Sequence, residues 1–192
     1  MDITTAFTRY GRPDRQYCFA YASNMHPEQI GARCATPRMV TVARLSDHTL
    51  AFFGKNRVWD GGMETVVAAP GREVWGVLYE LTFGDAASLD IWCGARLDGG
   101  GVYFHYPVRL LDASGGRHAA VLYKKDVQGP PVPPSREYLA YILSGAAARG
   151  LPAAYLAQLK NLSAAPARYP VPRAGGIARG VLQEATCATC AG

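Results

Sequence analysis

The sequence predicts an α+β chain organised around a closed or nearly closed mixed β-barrel. Three observations carry that expectation. Six or seven apolar stretches of period-two character recur between residues 16 and 123, the pattern of strands that bury one face. Turn chemistry separates them, at Gly54-Lys55-Asn56, Asp60-Gly61-Gly62, Pro70-Gly71, Gly99-Gly100-Gly101 and Ser114-Gly115-Gly116. Helical spacings are few and short.

Taken in order, Gln16 to Tyr21 reads as a buried, aromatic-rich strand that stops at the small polar turn Ala22-Ser23-Asn24. His26-Pro27-Glu28 then starts a helix, with Pro27 in the first turn and Glu28 near the positive end of the dipole. A strand-to-helix loop of this kind is a usual place for backbone N–H groups to bind a carboxylate or oxyanion. Strands are expected at residues 39–43, 49–53, 65–69, 74–81, 102–111 and 119–123. One short helix interrupts them at residues 85–93, where Phe83, Ala86, Leu89 and Trp92 fall at helical spacings. After the proline connector 129–134, Ser135 caps a helix that runs to about Arg149 and ends at Gly150, its apolar face supplied by Leu139, Ile142 and Leu143. Pro152 begins a second short helix carrying Tyr155, Leu156 and Leu159. Beyond Ser163 the composition shifts to Ala, Pro, Gly and Arg, and the apolar patch 177–182 is the expected docking point of that tail.

Composition narrows the function. The 192 residues suit one domain with an extra segment, and 49% hydrophobic against 18% charged residues excludes global disorder. No apolar run approaches the ~20 residues that span a bilayer, so no membrane partner is expected. The net charge of +5 comes mostly from arginines scattered from Arg9 to Arg179, which form no dense patch, and nucleic acid is not an expected partner. Residues 1–15 carry charges and no apolar block, unlike a signal peptide, and a cytoplasmic location is expected. The five cysteines, at 18, 34, 93, 187 and 190, fit reduced thiols. Cys187 and Cys190 have the spacing of a zinc half-site, but no second pair completes a tetrahedral set, and no metal is expected.

Four segments in order then coincide with one family. Tyr21-Ala22-Ser23-Asn24-Met25, Trp59-Asp60-Gly61-Gly62, Glu73 to Tyr79, and Leu89-Asp90 ending in Gly94 resemble the gamma-glutamylcyclotransferase family. The similarity continues through Val102-Tyr103, Leu122-Tyr123, Pro134-Ser135 with Tyr138, Gly145, and Gly150 to Tyr155. It divides the chain into a leader at 1–15, a gamma-glutamylcyclotransferase-like domain at 16–162 and an extension at 163–192. The resemblance implies a small mixed barrel with helices outside it and a cavity opening at the Tyr21–Met25 turn. It also implies a cofactor-free reaction, in which the substrate's α-amine attacks its own γ-carbonyl, forms 5-oxoproline and releases an amine. Intramolecular alignment of that kind is worth roughly 7–11 kcal/mol in favourable cases. The protein must add donors for the oxyanion and a base that moves the ammonium proton to the leaving nitrogen.

The resemblance assigns the residues as follows. Tyr21, Ala22, Ser23, Asn24 and Met25 form the substrate loop, and Tyr103, Tyr123 and Tyr138 line the pocket. Two positions depart from the family: its loop glycine is Ala22, and the Glu of its pattern Leu-Asp-x-x-Glu-Gly is Cys93. A thiol of ordinary pKa near 8.5 is a poor proton shuttle at neutral pH. Glu64, two residues after the Gly-Gly pair where the family has a small residue, is a carboxylate that could replace the missing base if it faces the cavity. Asp98 in the following loop is a further carboxylate, although loop aspartates are usually turn formers. Cys93 could be a nucleophile with His26 or His105 as its base, a substrate contact, or a small apolar filler. The central expectation is a cyclotransferase acting on a small gamma-glutamyl amide, a gamma-glutamylated amine in a specialised pathway rather than glutathione. The alternatives are a Cys93-dependent amidohydrolase or acyltransferase, and an inactive gamma-glutamyl-binding protein.

Overall fold

The computed structural model describes residues 14–96, 98–127 and 129–173. Five strands, β1 (Arg15–Ala20), β2 (Arg38–Asn56), β3 (Gly61–Thr82), β4 (Tyr103–Asp112) and β5 (Arg117–Lys125), close a barrel in the order β1-β3-β2-β4-β5. Neighbours are antiparallel except at the closure, where β1 meets β5 in parallel through the single registered pair Cys18–Val121. That pairing makes the barrel mixed, as expected. A cavity of about 180 Å³ lies on the closure, lined by Gln16, Tyr17, Val108 and Val121 among others. Phe19, Val66, Val77, Leu78, Leu81, Leu110 and Leu122 fill the core, each at most 1% exposed.

Two expected pairs of strands are each one strand. The stretches at 39–43 and 49–53 belong to β2, and those at 65–69 and 74–81 belong to β3, so five strands replace six or seven. The reason lies at Asp47 and Gly71, which take left-handed φ angles of 56° and 73° beside a register shift between Ser46 and His48. Asp47 accepts a hydrogen bond from the Gly71 N–H at 2.9 Å. Pro70-Gly71 therefore bends the ribbon without reversing it, as a bulge does.

The helices are local in origin. After a 3-10 turn at Ser23–Met25, α1 (Pro27–Arg33) starts with Pro27 in its first turn. Thr82 caps α2 (Phe83–Cys93) by accepting from the Asp85 N–H. Ala86 and Leu89 of α2 are buried, but Phe83 is 58% exposed because it opens the helix beyond the covered face. Ser135 caps α3 (Arg136–Ala148) by accepting from the Tyr138 N–H at 3.1 Å, and α4 (Ala153–Lys160) buries Tyr155 and Leu159.

The proline connector reaches back to the β2–β3 hairpin. Gly62 N–H donates to the Pro133 carbonyl and Val132 N–H to the Phe52 carbonyl. A Cβ at Gly62 would sit 2.1 Å from the Val132 oxygen, so the Gly-Gly pair is there for close backbone approach. Residues 164–173 form a strap over the same region. Ala165 bridges Ser135, Arg168 holds Asp60 through its N–H and guanidinium, and Arg173 N–H donates to the Val58 carbonyl. Residues 177–182, Cys187 and Cys190 lie outside the described residues, as does most of the leader. No helix among the described residues is long and apolar enough to cross a membrane.

Candidate active site

Tyr21 leaves β1 as a buried residue, and its hydroxyl donates to the Tyr123 carbonyl on β5. The chain then turns on two bonds, Met25 N–H to the Ala22 carbonyl and His26 N–H to the Ser23 carbonyl. Ala22 sits at φ −138°, so this turn asks for no left-handed residue at the position. Asn24 is the hub of the loop. Its side-chain N–H approaches the Cys93 sulfur at 3.8 Å, and its oxygen accepts from Arg33 at 2.7 Å and from Gln29 at 3.4 Å.

Glu64 reaches the same region from β3, where it pairs with Phe52. The Tyr138 hydroxyl donates to Glu64 Oε2 at 2.6 Å, and Tyr138 is only 1% exposed. Burial holds the Tyr138 phenol well above its ordinary pKa, and the Glu64 carboxylate pushes it further, against smaller opposing effects of Ser23 and Arg33. Tyr21 and Tyr103 are raised the same way, by burial first and then by Glu64. Three phenols and the Cys93 thiol therefore lie in the field of one carboxylate, while Tyr123, also buried, is raised by burial and then by Cys18 and Cys93. Trp59 stacks on Tyr138 with ring centroids 5.0 Å apart and fixes its plane.

Cys93 ends α2 facing this group. Burial pushes its thiol up to about 12; Arg33 pulls it down, while Glu64 and Asp90 push it up. The thiol is consequently protonated at neutral pH. Asp90, one turn earlier, accepts from the Tyr123 hydroxyl and pairs with His105 Nε2, both at 2.6 Å on the same oxygen. His26 instead stacks on Tyr141 at 4.2 Å. Among the described residues neither histidine is hydrogen-bonded to Cys93. Asp98 is exposed, paired with Arg96 and capping the Gly100 N–H, which makes it a turn former outside the site. No group of three metal-ligating side chains is assembled among the described residues.

Tyr21, Ser23, Asn24, Glu64, Cys93, Tyr103, Tyr123 and Tyr138 are thus brought together, while Met25 is fully buried and offers its carbonyl to Tyr79 and Arg149. Arg33 was not singled out from the sequence. Gln29 and Arg33 lie one helical turn apart on α1 and both point back at Asn24, and that i, i+4 spacing after the loop was the available signal. Arg33 also lies over the Trp92 ring at 5.3 Å.

A five-stranded mixed barrel with this turn, this helix end and these buried tyrosines defines a class. A family model described as the AIG2-like family matches residues 73–159. The chain is 34% identical over 148 residues to the gamma-glutamylcyclotransferases of Bos taurus and Homo sapiens, covering 75% of itself and 77% of each relative. A solved gamma-glutamyl cyclotransferase structure superposes with a TM-score of 0.76 at 29% identity, over 88% of this chain and 99% of that one. The chain belongs to the gamma-glutamylcyclotransferase family.

Proposed function

We propose that this protein is a cyclotransferase that cleaves a small gamma-glutamyl amide, with Glu64 as its acid–base group. The carrying observation is the 2.6 Å Tyr138–Glu64 hydrogen bond within a cluster of buried phenols that also includes the Cys93 thiol. In this reading the substrate's α-ammonium gives a proton to Glu64. The freed amine attacks the γ-carbonyl, Glu64 returns the proton to the leaving nitrogen as its C–N bond breaks, and the second proton, shed by the new lactam nitrogen, follows by the same carboxylate so that the amine departs as an ammonium. Turn amides of Ala22, Ser23 and Asn24, which are not donors in the turn's own two hydrogen bonds, supply oxyanion donors. Tyr138 orients the carboxylate, and Cys93 fills the place of the family Glu as a neutral contact. The departures at positions 22 and 93 support a gamma-glutamylated amine over glutathione as substrate.

A protonated, half-buried thiol without a hydrogen-bonded histidine gives the acyl-transfer alternative no support. The test is mass spectrometry of 5-oxoproline after incubation with a panel of gamma-glutamyl amines, peptides and glutathione. Glu64→Gln is expected to lower kcat by about 10²- to 10⁴-fold with KM little changed. Cys93→Ala is expected to retain turnover. Turnover lost in Cys93→Ala and kept in Glu64→Gln would reverse the assignment.

A further inference from the structure

The site also holds a charge opposite to that of Glu64, on Arg33. Arg33 donates to Asn24 at 2.7 Å, Asn24 reaches Cys93 at 3.8 Å, and Tyr138 reaches Glu64 at 2.6 Å. The Cys93 thiol and the Tyr138 phenol both lie in the fields of the two charges, raised by Glu64 and lowered by Arg33. The other cations nearby are directed elsewhere. Arg149 donates to the Met25 carbonyl and covers the Tyr79 ring, and the Lys125 ammonium end lies against Gly54 beside Met63. Arg33 is half-buried, and its bond to Asn24 uses Nη1, leaving Nη2 and Nε as further donors.

An amino-acid head group presents a carboxylate and an ammonium on one carbon. A site that holds both a carboxylate and a guanidinium can match both at once. We propose that Arg33 binds the α-carboxylate of the gamma-glutamyl group while Glu64 faces its α-ammonium, so that Arg33 selects gamma-glutamyl substrates over otherwise identical 4-aminobutyryl ones. The guanidinium is held over Trp92 and by Asn24, so its fork is already ordered before the carboxylate arrives. This inference rests on the cyclotransferase reading for its substrate, and its test therefore includes binding as well as turnover.

Wild type, Arg33→Gln and Arg33→Lys would be compared in two assays. In the first, a gamma-glutamyl amide and the 4-aminobutyryl amide of the same amine are followed to their lactams. In the second, L-5-oxoproline and 2-pyrrolidinone are titrated by NMR. Wild type should favour the carboxylate-bearing member of each pair by about 10- to 100-fold, the range of a charge-assisted pair. Arg33→Gln should collapse that preference towards unity, mainly through KM, and Arg33→Lys should keep part of it. If wild type binds oxoproline through Arg33 but turns nothing over, the inference stands and the cyclotransferase reading falls. A wild-type protein without the preference overturns the inference even if Arg33→Gln fails to fold. An Arg33→Gln protein that weakens both members of a pair equally also overturns it, since that is the signature of a disturbed Asn24.

Discussion

At position 93 the family resemblance leads one to expect a carboxylate and this chain has a thiol, while a carboxylate at position 64 is hydrogen-bonded to Tyr138. If one proton carrier has moved across the same space, moving it back should work. Glu64→Ala is expected to lose about 10²- to 10⁴-fold in kcat, and adding Cys93→Glu to that variant should recover at least part of the loss. Oxoproline assays of the single and double variants check this, and a double variant no better than the single would show that position 93 cannot reach the reacting nitrogen. Legibility at this scale follows chain distance. Glu64 and Cys93 stand out in the sequence because each departs from a short local pattern. Arg33 does not, because its meaning depends on α1 turning its last residue back to Asn24, nine positions earlier. Asp90 likewise acquires Tyr123 and His105 as partners only when α2, β4 and β5 converge.

Among the elements, α3 does the most to place the site. Its first turn carries Tyr138, its second Tyr141, and its middle passes so close to the loop that a Cβ at Gly145 would stand 2.8 Å from the His26 nitrogen. Gly145→Ala must shift α3 or the turn, with an expected cost of about 1–3 kcal/mol and reduced turnover. Ser135→Ala removes only the cap, and an expected loss of about 1 kcal/mol with KM unchanged within a few-fold separates stability from positioning. Urea unfolding beside steady-state kinetics reads both. The helices were legible because their signals are local: Ser135, Pro27 and the glycine at 150 each act within a turn of their own residue. The strand count was not, because Pro70-Gly71 has the chemistry of a reversal in either setting. Only the partner strand, with Asp47 opposite, decides that the ladder continues.

For the molecule as a whole, the strap from 164 to 173 fixes the hairpin tip from which β3 departs with Glu64. Its main anchor is Arg168 on Asp60, and the hydrogen bonds from Arg168 hold the Asp60 carboxyl down at about 2. A depressed folded-state pKa contributes stability that is full above the ordinary carboxylate value and fades as pH falls from about 4 through about 2. Arg168→Gln should therefore lower the urea midpoint at neutral pH, and the gap to wild type should close as the solution is acidified across that window. A gap that stays constant down to pH 2 would mean that the Arg168 side chain acts through packing and not through the ionised Asp60 carboxylate. The barrel's closure has another consequence. One registered pair joins β1 to β5, and beside it the Tyr21 hydroxyl ties the end of β1 to the Tyr123 backbone. A residue of the candidate site is thereby also the latch of the barrel. In hydrogen–deuterium exchange, the amides along β1 and β5 should open before those of the β2–β3 ribbon, and Tyr21→Phe should hasten them selectively. Ligand in the site should slow the same amides, so that occupancy is written into the breathing of a seam on the barrel wall.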